Sequence, residues 1–546
     1  MTALAGQAGA SATIIVDSNA DGTADPLHCS DGVSGNCTLR DAAALAVDGD
    51  TITFDAGVTA ITLSQGIDLR AVTLTGPGSA DLTITPLYSV DRMFIVSGTG
   101  DATISGLTLV GKPIKSVNRG NFTLDDVTLT GAFQTYGGAL YAANSGNLAI
   151  SNSTFANNGA ILGGGAVFAY NSGSVTVANT AIENNTCTGA GGGGLKMSGS
   201  VTDVMITSSS ITGNTAHFGG GVESFATGRI TILDSNISTN TASLAGAGGL
   251  LVQTSGDPAD MVWIERTTVD GNTTQPGFDG GGMNVTDHSL VMIDSTVSNN
   301  HAGNTGGGIA IDRGNSVTIN NSTITGNHSR VGGGLYASHM PVTLNQSTIV
   351  GNTATDYAGG VWFYTSSLNL SGTIVSGNTA VGASDIGALY GAAINSDHSL
   401  VGDVAGLGLS SISVTDLGGT INSPMPGVSA LADNGGPTKT MALVPGAPAI
   451  DAGPNPVASF SWNGFDQRGT PYVRVSNGTA DIGAFEVQAG PPPSSSTTSS
   501  STSSTTSTTS LPTSSTTTAP STTTTLGVLP TSPSSDEDPM IPTFTG

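Results

Sequence analysis

Through most of the chain apolar and polar residues alternate in short runs, and each run stops at an asparagine, a glycine or both. The stretch "SVTINNSTITGN" at 316 is typical, with Val317, Ile319 and Ile324 separated from their neighbours by Thr and Asn. A period of two is that of a half-buried strand, because successive side chains leave opposite faces of the backbone. The β-branched residues that fill these runs suit such a pleated surface. Amphipathic runs of helical length are nearly absent. The exception is "CTLRDAAALAV" from Cys37, where Thr38 can cap, Asp41 stands three residues on and alanines follow, so a short helix is predicted there.

The strand runs repeat. Aligning on the phrase Thr/Ser, apolar, any, any, Asn places its asparagines at Asn158, Asn185, Asn214, Asn240, Asn272, Asn300, Asn327, Asn352 and Asn378, at intervals of 25 to 32 residues. Between most of them stand glycines followed by an apolar residue, as in "GGGAVF" at 163 and "GGGIAI" at 306. A unit of this size cannot bury its own apolar side chains and must stack on its neighbours. Strand alternation excludes helical repeats, the lack of a three-residue period excludes collagen, and the nine-residue calcium repeat is missing. What remains is an all-β solenoid, a parallel β-helix of roughly a dozen coils stacked at about 4.8 Å. Asparagines at equivalent corners are expected to pass amide hydrogen bonds from coil to coil.

Composition changes this picture in three places. Charged residues are only 10% of the chain and the net charge is −25, which disfavours nucleic acid and anionic lipid as partners. No stretch is apolar for long enough to span a bilayer, and the opening "MTALAGQAGASA" is like the small-residue end of a trimmed export signal. Cys29 and Cys37 stand close together in a Gly-rich segment, where an oxidising compartment would join them as a disulfide, and Cys187 has no obvious partner. Export to the bacterial cell surface or medium is the expectation. From "GPPPSSSTTSS" at 490 the chain is Ser, Thr and Pro with almost nothing to bury, the composition of an extended stalk. The expected segments are 1–50 (N-terminal segment and cap), 51–400 (β-helix), 401–488 (closing region and C-terminal cap) and 489–546 (stalk).

Three sets of motifs carry a family resemblance. Cys37, Thr38, Leu39, Arg40, Asp41 and Ala42 resemble the CSLREA-type N-terminal motif, with Thr and Asp in place of Ser and Glu, and "GDTITF" follows at 49. "LADNGGPTKTMALVPGAPAIDAG" at 431, "FDQRGTP" at 465 and "DIGAFE" at 481 resemble the closing region of bacterial surface proteins with a choice-of-anchor Q domain. The middle is similar to the Gly-Gly-apolar and Phe-x-x-Asn repeats of polymorphic membrane proteins, with Phe155 supplying the Phe. "IPTFTG" at 541 resembles a sortase signal with one residue too many. The resemblance covers roughly residues 12 to 488 and implies a pectin-lyase-like, right-handed β-helix held at a cell surface; it implies no reaction.

Candidate chemistry is read from columns of equivalent residues. Taking the apolar residue after each glycine run as inward, the next position faces out and runs Val167, Lys196, Glu223, Leu251, Asn284, Ala310, Tyr336 and Trp362. Lys196 and Glu223 should pair across adjacent strands, and Tyr336 with Trp362 should present two rings. Four residues after the reference position stand Asp287, Arg313 and His339, with Asp312 and His288 adjacent. Asp287, Arg313, His339, Tyr336 and Trp362 are the expected contacts for a polysaccharide or other cell-surface ligand. His301 and His328 each follow a corner Asn and should stack one coil apart; with no third ligand, a metal is not expected. The competing reading is a polysaccharide lyase or glycoside hydrolase acting on an acidic polysaccharide. Against it, Glu223 and Asp312 fall about three coils apart, roughly 14 Å by the strand spacing and beyond the reach of a carboxyl pair. No cofactor is expected, calcium has no motif to support it, and the protein is expected to act as a monomer, as an adhesin or a structural rod.

Overall fold

The computed structural model describes residues 11–490 apart from 88–89, 144–145, 171–172, 227, 254–259, 365–366, 390–391, 405–412 and 458–463, so the stalk lies outside the described residues. The chain winds as a parallel β-helix whose strands form three parallel sheets. Sheet 1 has 29 strands and takes two from most coils, sheet 2 has 13 and sheet 3 has nine. Each strand pairs with its equivalent in the next coil; Val317, Thr318, Ile319 and Asn320, for example, face Val342, Thr343, Leu344 and Asn345. One continuous core runs from Ile14 to Val401.

A coil turns because two of its residues take the left-handed conformation. The first bends sheet 1 and is polar, as at Asn179 (φ 47°), Asp234 (φ 50°) and Asn321 (φ 51°). The second precedes the ladder asparagine and is often glycine, as at Gly326 (φ 68°), since only glycine enters that region without a Cβ penalty. The ladder asparagine then points inward, where it is buried. Asn240 Nδ2 donates to Ile211 O in its own coil's predecessor (2.9 Å) and to Asn272 Oδ1 (3.0 Å), and its Oδ1 accepts from Asn214 N (2.9 Å) and Nδ2 (3.0 Å). The pattern recurs from Asn158 to Asn378, where Asp385 Oδ1 takes the last two donors at 2.8 and 2.9 Å. A second column, of Ser and Thr, follows the sheet 1 bend: Ser209, Ser235, Thr267 and Ser295 each accept a backbone N–H from the coil before.

The front end is closed as the sequence suggested. The helix spans Leu39–Leu45, Thr38 caps it, and Thr38 and Asp41 exchange both bonds of a capping box. Leu39 and Ala42 enter the core, Arg40 grips Asp21 (2.8 and 3.0 Å) and the carbonyls of Gln65 and Gly66, and Cys37 is joined to Cys29. Every residue of the "CTLRDA" word therefore has work to do at the cap. Cys187 is free and buried.

The back end differs from expectation. The closing region does not lie over the last coil; among the described residues, Val414 and Leu417 on the last long strand are 57% and 63% exposed. It runs instead along the outer face of sheet 1. Gln467 is fully buried there, donating to Thr296 Oγ1 and Thr438 Oγ1 (both 2.9 Å) and accepting from Thr323 Oγ1 (2.6 Å). Ala484 N donates to Thr348 Oγ1, Gly483 N to Gly372 O, and Arg474 reaches Gln346 and Asp481 O. Apolar contact comes from Met441, Leu443, Ala449 and Ile482 packed on Val350, Ile374 and Leu400. The sequence carries a signal for this docking: outward positions that are Ser210, Asn236 and Thr268 in middle coils become Ile374 and Leu400 in late ones.

Two predictions follow from these contacts. Asn240→Leu takes the acceptor from Asn214 N and Nδ2 and the side-chain donor from Ile211 O, while Asn272 Oδ1 keeps the backbone N–H of residue 240, so it should cost about 3 kcal/mol, read as a shift in denaturant midpoint. The closing region should also respond to pH. Burial pushes the carboxyls of Asp294 and Glu486 up to about 7, so their neutral forms favour docking; the contribution is complete below the ordinary carboxylate range and is lost as pH rises through about 7. Protease cleavage within 425–488 should become faster between pH 5 and pH 8 relative to cleavage elsewhere, and an unchanged ratio would remove the mechanism.

Candidate functional site

The outer face of sheet 2 is where the sequence placed its candidates. The column is Lys115, Tyr141, Phe168, Lys196, Glu223, Leu251, Asn284, Ala310, Tyr336 and Trp362. Val167 is not its member at the third place: it pairs with Leu195, points inward and is 1% exposed, because Ala166 adds a residue after the glycines of that coil. Much of the column is covered. The segment between each ladder asparagine and the next glycine run makes an excursion, and these excursions form sheet 3 over the outer face of sheet 2. Tyr357 of sheet 3 lies 5.5 Å from Trp362, ring centre to ring centre, and a Cβ on Gly246 would meet Leu251 at 2.6 Å.

This cover corrects one expected contact. Trp362 is 6% exposed, packed with Val331 and Ala358, so its ring has no face for a ligand. Tyr336 is half-buried beside it, and its hydroxyl is pushed above the usual tyrosine range by desolvation. The Lys196–Glu223 pair forms at 2.9 Å but is not a surface pair: Glu223 is buried, and burial raises its carboxyl against the opposing pull of Lys196. Removing Lys196 alone would strand that carboxylate, at a cost of about 3 to 5 kcal/mol rather than the fraction expected of an exposed pair.

Beyond the edge of sheet 3, Asp287, Arg313 and His339 do stand one above another, each in the left-handed conformation (φ 61°, 59° and 66°). Arg313 Nε donates to Asp287 Oδ1 (3.0 Å), and its Nη1 lies 2.9 Å from Asp312 Oδ2. His339 Nδ1 is 3.2 Å from Asp312 Oδ1 and 2.7 Å from Ser338 Oγ, and its ring meets the edge of Tyr364 at 5.2 Å. Arg313 and His339 are about half exposed, while His288 is fully buried with Nδ1 on Thr286 O. The ladder is thus mutually satisfied, and the ion pair holds the Arg313 guanidinium above its ordinary value.

A cluster the sequence reading missed lies where sheet 3 begins. Its first strand, Phe133–Tyr136, has no excursion before it, so that strand forms an open ledge beside sheet 2. Tyr136 lies 6.2 Å from Tyr141 and 6.0 Å from Phe168; Phe168 lies 5.6 Å from Tyr141 and 5.8 Å from Tyr170. Phe133, Tyr136 and Tyr170 are 55%, 43% and 38% exposed. The signal was there in "FQTYGGALYAA" and "AVFAY", but the one-place error at Val167 removed Phe168 from the column and hid the cluster.

A family model for the right-handed β-helix region matches residues 118–303 and 246–399, together just over half of the chain. The chain belongs to this family. Solved structures similar to this β-helix include the A-module of the Azotobacter vinelandii mannuronan C-5 epimerase AlgE6, 15% identical over 71% of this chain and 93% of that one, with a TM-score of 0.26. The pectate lyase Pel9A is 14% identical over 87% and 96%, with a TM-score of 0.29. The catalytic domain of a GH87 α-1,3-glucanase, in complex with nigerose, is 15% identical over 71% and 68%, with a TM-score of 0.27. At such scores none of the three bears on the site. No curated protein matches the sequence.

In this β-helix His301 and His328 stack as their positions required, with ring centres 4.8 Å apart and planes 7° from parallel. Burial, then the neighbouring His328, holds His301 below the ordinary histidine range. Its stabilising contribution is therefore whole above pH 6.5 and is lost as pH falls below that value. The melting temperature should drop between pH 8 and pH 5, and His301→Thr, which restores the residue most other coils carry, should reduce that drop.

Proposed function

We propose that the protein is an exported, surface-displayed β-helical rod of the choice-of-anchor Q kind, with a CSLREA-like front cap, that holds polysaccharide on the outer face of sheet 2 as an adhesin. The observation that carries this reading is the aromatic ledge, where Tyr136, Tyr141 and Tyr170 surround the buried Phe168 at 5.6 to 6.0 Å, ring centre to ring centre, and Phe133, Tyr136 and Tyr170 are open to solvent. Ring faces of this kind accept the C–H faces of sugars, and an exposed patch on so polar a chain calls for an occupant. The Asp287–Arg313–His339 ladder with Tyr336, about six strands or ~29 Å further along the same face, would be a second contact for a long chain.

Retention without cleavage is the favoured outcome because the three carboxylates along the middle of the face are engaged: Glu223 with Lys196, Asp287 with Arg313, Asp312 with Arg313 and His339. The Cys29–Cys37 bond fits an oxidising compartment. The test is to incubate the full chain with soluble neutral and acidic polysaccharides, reading retention together with new reducing or unsaturated ends. Retention without product is expected, weakened roughly tenfold by Tyr136→Ala with Tyr170→Ala. Product formation would replace the adhesin with a lyase or hydrolase; no retention by any polymer would end the reading.

A further inference from the structure

The ledge also has a charge. Of fourteen basic residues in the chain, six are held close by a carboxylate: Arg40 by Asp21, Lys196 by Glu223, Arg266 by Asp234, Arg313 by Asp287, Arg330 by Asp356 and Arg468 by Asp466. Lys112 and Lys115 are different. Neither side chain has an ion pair or hydrogen bond among the described residues, and Lys115 is the direct strand neighbour of Tyr141 in the sheet 2 column. Lys112 is three residues ahead, on the coil that lacks an excursion and so leaves this side of the ledge open. Arg92 sits beneath, with its Nη1 buried and unpaired and its charge felt at Tyr141.

We propose that the polysaccharide held at the ledge is a polyuronate, whose sugar faces rest on Tyr136 and Tyr141 while its carboxylates meet Lys112 and Lys115; this rests on the glycan-holding reading above. The net charge of −25 does not oppose it. At physiological ionic strength a charge is screened within about 8 Å, so the local sign decides, and the local sign is positive. Against Lys112, Lys115 and Arg92 stand two carboxylates: Asp91, 80% exposed, which pairs with Arg92 at 3.8 Å and accepts from Gln134, and Asp68, exposed in the same column two strands before Lys115. A uronate suits the site for a stereochemical reason: each residue offers an apolar face and one carboxylate at its edge, the two features that the rings and the lysines address.

The experiment sets the full chain against polygalacturonate, polyglucuronate and polymannuronate and against the methyl ester of each, which keeps the backbone and removes the charge. At least one polyuronate should bind roughly tenfold more tightly than its ester, the effect of two partly exposed charge contacts. Lys112→Gln with Lys115→Gln should bring that polyuronate down to the affinity of its ester, with the melting temperature unchanged. Equal binding of acid and ester, or a preference for the acid that survives in the double variant, overturns the polyuronate assignment and leaves the glycan-holding reading in place. Absence of binding to every polymer, charged or not, takes both down.

Discussion

The structure depends on satisfying backbone groups at corners that water cannot reach. Each coil turns inward on an asparagine, and an unpaired corner would leave several buried donors and acceptors per coil. The nine asparagines from Asn158 to Asn378 remove that cost collectively, since each supplies the acceptor that the preceding coil needs. Their amide dipoles point one way, so donors accumulate at the far end, where the carboxylate of Asp385 receives them. Alternating strands supply the core, but the asparagines fix the register, and the register is what places every outward side chain.

Register also decides how much was legible in the sequence. The His301–His328 stack, the Lys196–Glu223 pair and the Asp287–Arg313–His339 ladder could be read because they need only correct counting from a repeated landmark. Counting failed at Ala166, where one extra residue moved Val167 inward and Phe168 outward. The burial of Trp362 was hidden for another reason: sheet 3 is built from short excursions, many of them Thr- and Gly-rich with a single small buried residue, such as Ala160, Cys187 or Ala216. Such segments read as loops. The docking of the closing region joins residues about 144 positions apart, and no local pattern specifies that pairing. Only the change of outward residues to Ile374 and Leu400 foreshadowed it.

The same excursions that bury the middle of sheet 2 create the ledge at their start. Where sheet 3 covers the face, the outward column has become a small second core, with Leu251 and Ala310 inside it. Where the cover begins, the rings of Phe133, Tyr136 and Tyr170 stand in the open and Lys112 and Lys115 are partly exposed. Ligand-facing character and core character thus occupy one column, separated by the strand at which the cover begins.

The asparagine column has a further consequence for how such a rod can change. Its unit is interchangeable: any coil offers the same acceptor below and the same donors above, so an added or lost coil leaves both neighbours satisfied. The ledge is tied to the coils around Tyr141 and Phe168, and the closing region to those from Asp294 onward. Between them lie coils attached to neither. Insertion or deletion there would move the two ends apart or together in steps of about 4.8 Å, which makes the reach of the molecule a trait that duplication can adjust without redesigning either end.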